Sequence, residues 1–90
     1  MADKNIKKRI TFKLNNPEAR EVFLAGSFNA WDPSIRPLKK DSKDVWKTII
    51  MLPRGTYEYR FVVDGQWVDD PASSEKRLNE FGFYNSILTV

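Results

Sequence analysis

Tyr57-Glu58-Tyr59-Arg60-Phe61-Val62-Val63-Asp64-Gly65-Gln66-Trp67-Val68 decides the fold. Tyr57, Tyr59, Phe61 and Val63 alternate with Glu58, Arg60 and Val62. A period of two puts the first set on one buried face and the second on the opposite face of a strand. Asp64-Gly65 follows at once, the dipeptide that tolerates positive φ at both central positions of a tight hairpin. A second short strand therefore starts at Gln66 and ends at Val68.

The same alternation recurs on either side. Ile10, Phe12 and Leu14 face one way, with Thr11 and Lys13 the other; Val22 and Leu24 repeat the pattern. Val45 to Met51 is rich in β-branched residues, and Tyr84 to Val90 makes a last strand. Turn chemistry separates them at Asn15-Asn16-Pro17, Asn29 to Pro33, Pro53-Arg54-Gly55, Asp64-Gly65 and Asp70-Pro71. The single candidate helix is Ser73 to Asn79. Short strands at this spacing predict an all-β sandwich or barrel.

Ninety residues make one domain. There is no cysteine and no histidine, which removes disulfides, thiolate metal sites, the commonest general base and the commonest metal ligand. No cofactor and no metal are expected. No apolar run approaches the ~20 residues that span a bilayer. The opening MADKNIKKRI lacks the apolar stretch of a secretory signal, so a cytoplasmic location without a membrane partner is expected. The net charge is +3, and residues 1–9 carry all of it, because Ile10 to Val90 sums to zero. Nucleic-acid binders concentrate positive charge on the face that meets phosphates, so no nucleic-acid partner is expected. Residues 1–9 read as a basic, flexible segment and residues 10–90 as the sandwich. The chain ends on a strand at Val90, which fits either a compact complete protein or one module of a longer one.

Two tryptophans stand outside the buried alternation. Trp31 lies in Gly26-Ser27-Phe28-Asn29-Ala30-Trp31-Asp32-Pro33, and Trp67 follows the Asp64-Gly65 turn. An indole beside a turn exposes apolar area, and a sugar ring uses such a flat surface through CH–π contact and release of water. Trp46 differs: it sits mid-strand in Val45-Trp46-Lys47-Thr48-Ile49, a core position. Asp64, Asp69 and Asp70 invite comparison with the carboxylate pair of a glycosidase. Asp64 and Asp70 belong to turns, however, and a small sandwich lacks the deep cleft that raises a carboxyl pKa. Catalysis is not expected.

At GSFNAWDP, LPRGTYEYRFVVDGQW, DDP and NEFGFYNSILTV the chain resembles a family 48 carbohydrate-binding module. That family includes the glycogen-binding domain of the AMP-activated protein kinase β subunit. It also includes the N-terminal early-set domains of glycogen-branching and isoamylase-type debranching enzymes. The resemblance covers Ile10 to Val90. It implies an immunoglobulin-like early-set antiparallel β-sandwich that binds α-1,4-linked glucans: glycogen, starch, maltooligosaccharides or β-cyclodextrin. It also implies a role in targeting an attached or partner protein, a glucan-metabolising enzyme or a kinase subunit, to the polymer.

Carried over by motif, the resemblance places the carbohydrate site at Trp31, Arg60, Trp67, Phe81, Phe83 and Asn85. Arg60 stands where the kinase subunit has lysine, Phe81 where it has leucine and Phe83 where it has threonine. The last departure removes a polar contact and offers an extra stacking surface. Each residue also has a structural reading: Trp31 packed under the Pro33 and Pro37 loop, Trp67 covering a sheet edge, Arg60 in a cross-strand ion pair near Glu58 or with another acid, Phe81 collapsed onto the sandwich end, and Asn85 closing a turn at the start of its strand. The rival function is a structural or protein-interaction domain whose tryptophans meet a partner surface. Single-stranded nucleic-acid binding needs Tyr57, Tyr59 and Phe61 exposed, against the alternation.

Overall fold

A computed structural model of the chain describes residues 6–90. Among the described residues eight strands form two antiparallel sheets. β1 (Lys7–Asn15), β4 (Val45–Pro53) and β3 (Lys39–Lys40) make the smaller sheet, in that order. β2 (Val22–Gly26), β5 (Thr56–Val63), β8 (Tyr84–Thr89) and β7 (Lys76–Leu78) make the larger, with β6 (Gln66–Val68) paired to β5. The sheets pack as an immunoglobulin-like β-sandwich.

Alternation settles which side chains lie between the sheets. Phe12, Leu14, Trp46 and Leu52 from the smaller sheet meet Val22, Leu24, Tyr59 and Phe61 from the larger. The rings of Phe12 and Tyr59 touch edge to face at 5.0 Å, and Tyr59 meets Phe61 likewise at 5.9 Å. Phe61 is wholly buried and Tyr59 nearly so, so these rings offer no stacking surface to a nucleic-acid base. The expected Asp64-Gly65 hairpin is present: φ is +48° and +85°, and Val63 pairs with Gln66.

Two expectations need correction. Ser73 to Asn79 is not a helix. Its middle forms β7, held by β8 through the register Lys76–Ser86, Arg77–Asn85 and Leu78–Tyr84. An exposed edge strand carries polar residues on both faces, so it lacks the alternation that would identify it. The flexible basic segment expected over residues 1–9 is at its last three positions a strand. Lys7, Lys8 and Arg9 belong to β1, opposite Pro53, Leu52 and Met51. Residues 1–5 lie outside the described residues.

The turn between β3 and β4 carries a pH-sensitive contact. Asp41 Oδ1 accepts from the amides of Lys43 (2.8 Å) and Val45 (3.1 Å), and Oδ2 lies 2.9 Å from Lys47 Nζ. The Lys47 hydrogen bond above all, then these amides, holds the carboxyl down from 3.8 to about 2. A depressed folded-state pKa stabilises the fold above the unfolded value, and that stability is lost as pH falls through the folded one. Asp41→Asn should therefore flatten the fall in Tm between about pH 4 and about pH 2. Parallel melting curves for wild type and variant across that range would contradict it.

Candidate functional site

The outer face of the larger sheet holds the groove. β5 turns Glu58 and Arg60 outward because Tyr59 and Phe61 are drawn into the core. β6 places Trp67 directly opposite Val62, and Val62 is buried beside an indole that remains 43% exposed. β8 brings Asn85 to the same face, and the loop joining β7 to β8 brings Phe81 and Phe83 above it. Trp31 closes the other side. The groove measures about 950 Å³, large among ligand pockets. Trp31, Arg60, Trp67, Phe81, Phe83 and Asn85 all line it.

Trp31 reaches the groove by a strained turn. A 3-10 turn at Ser27–Asn29 is fixed by the Asn29 side chain, which accepts from the Gly26 amide and donates to the Leu24 carbonyl, both at 3.0 Å. Gly26 is obligatory here: a Cβ would lie 2.6 Å from the Glu58 carbonyl oxygen. Ala30 and Trp31 then both adopt left-handed backbone, φ +57° and +60°. Two successive non-glycine residues in that region cost of order 1–3 kcal/mol each. The Trp31 amide donates to the Gly26 carbonyl at 3.0 Å, and Asp32 caps the next 3-10 turn, Pro33–Ile35, through the Ser34 amide. The ring is half-buried and lines the groove.

Arg60 makes no ion pair with Glu58. Its guanidinium lies over the Phe83 ring, 5.4 Å from the centroid, and Nη2 donates to the Trp67 carbonyl at 3.2 Å. Its buried Nε has no acceptor among the described residues. Phe83 thus braces the cation as well as offering a stacking face. Phe81 is 77% exposed and has not collapsed onto the sandwich end. Asn85 is buried, and its amide is held on both sides: Nδ2 donates to Glu58 Oε1 at 3.1 Å and Oδ1 accepts from Asn79 Nδ2 at 3.2 Å. Glu58 Oε2 faces Arg77 Nη1 at 3.7 Å.

Glu58 and Asn79 line the groove and were not singled out from the sequence. Glu58 sits 27 residues from Asn85, so only the fold reveals their contact. Asn79 carries a local signal, an asparagine three residues before a glycine, which reads as an Asx-type turn once the helix expectation is set aside.

The three aspartates that invited the glycosidase comparison are engaged elsewhere. Asp64 Oδ1 accepts from the Arg20 and Glu21 amides, both at 2.9 Å, and clasps the start of β2. Asp69 pairs with Lys76, which lowers its pKa. Asp70 accepts from the Tyr59 hydroxyl at 2.6 Å and from the Ala72 amide at 2.9 Å. Burial foremost, then the Asp70 contact, pushes the Tyr59 pKa up. Among the described residues no cluster of acids could hold a metal ion, and no helix is long and apolar enough to cross a membrane.

Residues 8–90 match the family described as the glycogen recognition site of AMP-activated protein kinase. The mouse 5'-AMP-activated protein kinase subunit beta-2 is 44% identical over 71 residues, 79% of this chain and 25% of that protein. The pig subunit beta-1 is 42% identical over 71 residues, 79% of this chain and 55% of that sequence. The chain thus spans about a quarter of the first relative's length and about half of the second's. Among solved structures, a maltogenic amylase from S. marinus superposes with a TM-score of 0.79 at 25% identity, over 93% of this chain and 14% of that one. The matching family is one of recognition, not of catalysis. The chain belongs to the family of the glycogen recognition site of AMP-activated protein kinase, the carbohydrate-binding modules of family 48.

Proposed function

We propose that this chain binds α-1,4-linked glucans without transforming them and holds an attached or partner protein on the polymer. Glycogen, starch, maltooligosaccharides and β-cyclodextrin are the ligands. The partner is a kinase subunit or a glucan-metabolising enzyme, in a cytoplasmic setting. The observation that carries the reading is the convergence of two indoles, an exposed phenyl and a polar floor on one open groove. Trp31 and Trp67 stack against successive glucose rings, and Phe81 enters the concave side of the curved chain. Arg60 and Asn85 donate to hydroxyls. A wet, shallow groove exchanges hydrogen bonds with water at little net gain, so affinity falls on the order of micromolar to millimolar. Raised effective concentration on a polymer makes such affinity sufficient for targeting.

Affinity electrophoresis tests this reading. Glycogen in the gel should retard the chain and carboxymethylcellulose should not; equal retardation by both contradicts the proposal. Arg60→Ala should weaken glucan binding by about 1–2 kcal/mol, the scale of charged hydrogen bonds, with little change in Tm. A large drop in Tm with binding intact would assign Arg60 to the fold instead.

A further inference from the structure

We propose that Asn79 is the positioning residue of the glucan groove, one side chain that sets both its apolar wedge and its polar floor. The inference rests on the glucan reading above and deepens it. The loop from β7 to β8 spans Asn79-Glu80-Phe81-Gly82-Phe83, and it carries the most exposed large apolar side chain described, Phe81. An exposed phenyl on an unsupported loop would lose rotational and backbone freedom on binding, a cost set against every contact it makes.

Asn79 removes that cost in advance. Its Oδ1 accepts from the amides of Phe81 at 2.9 Å and Phe83 at 3.1 Å. The Asn79 backbone N–H donates to the Phe83 carbonyl at 2.7 Å, and the Asn79 backbone carbonyl accepts from the Gly82 amide at 3.1 Å. Gly82 takes φ +87°, the reversal that lets both phenyl-bearing residues return their amides to one oxygen. The loop is therefore closed around the asparagine side chain, not around a core.

The other end of the Asn79 side-chain amide faces the floor. Asn79 Nδ2 donates to Asn85 Oδ1 at 3.2 Å, and Asn85 Nδ2 in turn donates to Glu58. A carboxylate only accepts, so Glu58 fixes which end of Asn85 is the donor, and Asn79 supplies the matching donor on the opposite side. Asn85 is thus held in one orientation before any sugar arrives. Neither aspartate nor alanine could do both jobs, because a carboxylate only accepts and a methyl group does neither, whereas an amide accepts at one end and donates at the other.

Substitution separates the two jobs. Titrations would use β-cyclodextrin, which needs the wedge, and maltotriose, which is too short to wrap it. Asn79→Ala should lose about tenfold or more for β-cyclodextrin and distinctly less for maltotriose, so the preference for the cyclic sugar collapses. Asn79→Asp restores the acceptor for the loop amides but removes the donor to Asn85. It should recover the preference for β-cyclodextrin while binding both sugars more weakly than wild type. A preference unchanged in Asn79→Ala, with wild-type binding intact, overturns the positioning role alone. Failure of the wild-type chain to bind either sugar overturns the glucan reading itself. Amide exchange in the wild-type chain supplies a measurement independent of any variant's folding. The Phe81 and Phe83 amides should be protected relative to that of Glu80; free exchange at both overturns the proposed clamp.

Discussion

Trp46→Ala should lower the stability of this domain by about 3–5 kcal/mol, the cost of emptying an aromatic core position. Trp46 is 7% exposed, and its indole N–H donates to the Asn16 carbonyl at 2.9 Å. It is paired with Leu14 on one side and Lys40 on the other, and the Lys40 ammonium lies 5.6 Å from its ring centroid. Truncation removes the ring, opens a cavity against Leu14 and leaves a backbone acceptor without its partner. A domain of this size has only about 5–15 kcal/mol in total, so the loss is a large part of the whole. Chemical denaturation would show a midpoint far below wild type. A variant that denatures like wild type would mean that the smaller sheet has been turned inside out.

Trp31 and Trp67 should behave in the opposite way. Trp67→Ala removes a ring that is nearly half exposed, and Trp31→Ala removes one that lines the groove. Each should weaken α-glucan binding by about 2 kcal/mol or more, the range of an interface anchor. Each should leave the domain folded, since surface changes shift stability little. Trp31→Gly sharpens the comparison. Glycine accepts φ +60° freely, whereas an L-residue there costs roughly 1–2 kcal/mol. Relief of that strain offsets the lost ring packing, so Trp31→Gly should melt close to wild type while losing glucan binding. Retained binding in Trp31→Gly would remove Trp31 from the site, and unfolding would make its ring part of the core.

The contrast among the three tryptophans was legible because it depends on near neighbours in sequence. Trp46 has β-branched residues about it; Trp31 and Trp67 stand beside Asn, Asp, Gly and Pro. The inward face of β5 and its Asp64-Gly65 hairpin were legible for the same reason. β7 was not. Lys76-Arg77-Leu78 is too short and too polar to show alternation, and it becomes a strand because β8 offers hydrogen bonds to it. The two 3-10 turns and the strained backbone at Ala30 and Trp31 also escaped reading, since tertiary contact sustains them. The groove's polar floor was hidden most completely. Glu58 and Asn85 lie on different strands, and Glu58 reads as one more solvent-facing charge until β5 and β8 are set side by side. Phe83 was expected as an added stacking surface. Its contact with Arg60 gives it a structural task as well, holding the guanidinium over its ring.

Titration of intrinsic tryptophan fluorescence with maltoheptaose and β-cyclodextrin, with cellohexaose as control, tests the central claim most directly. The account predicts a saturable change with both α-glucans and none with cellohexaose, since a flat β-1,4 chain offers no concave side for Phe81 and wants coplanar indoles. No response to either α-glucan, or an equal response to cellohexaose, would contradict it.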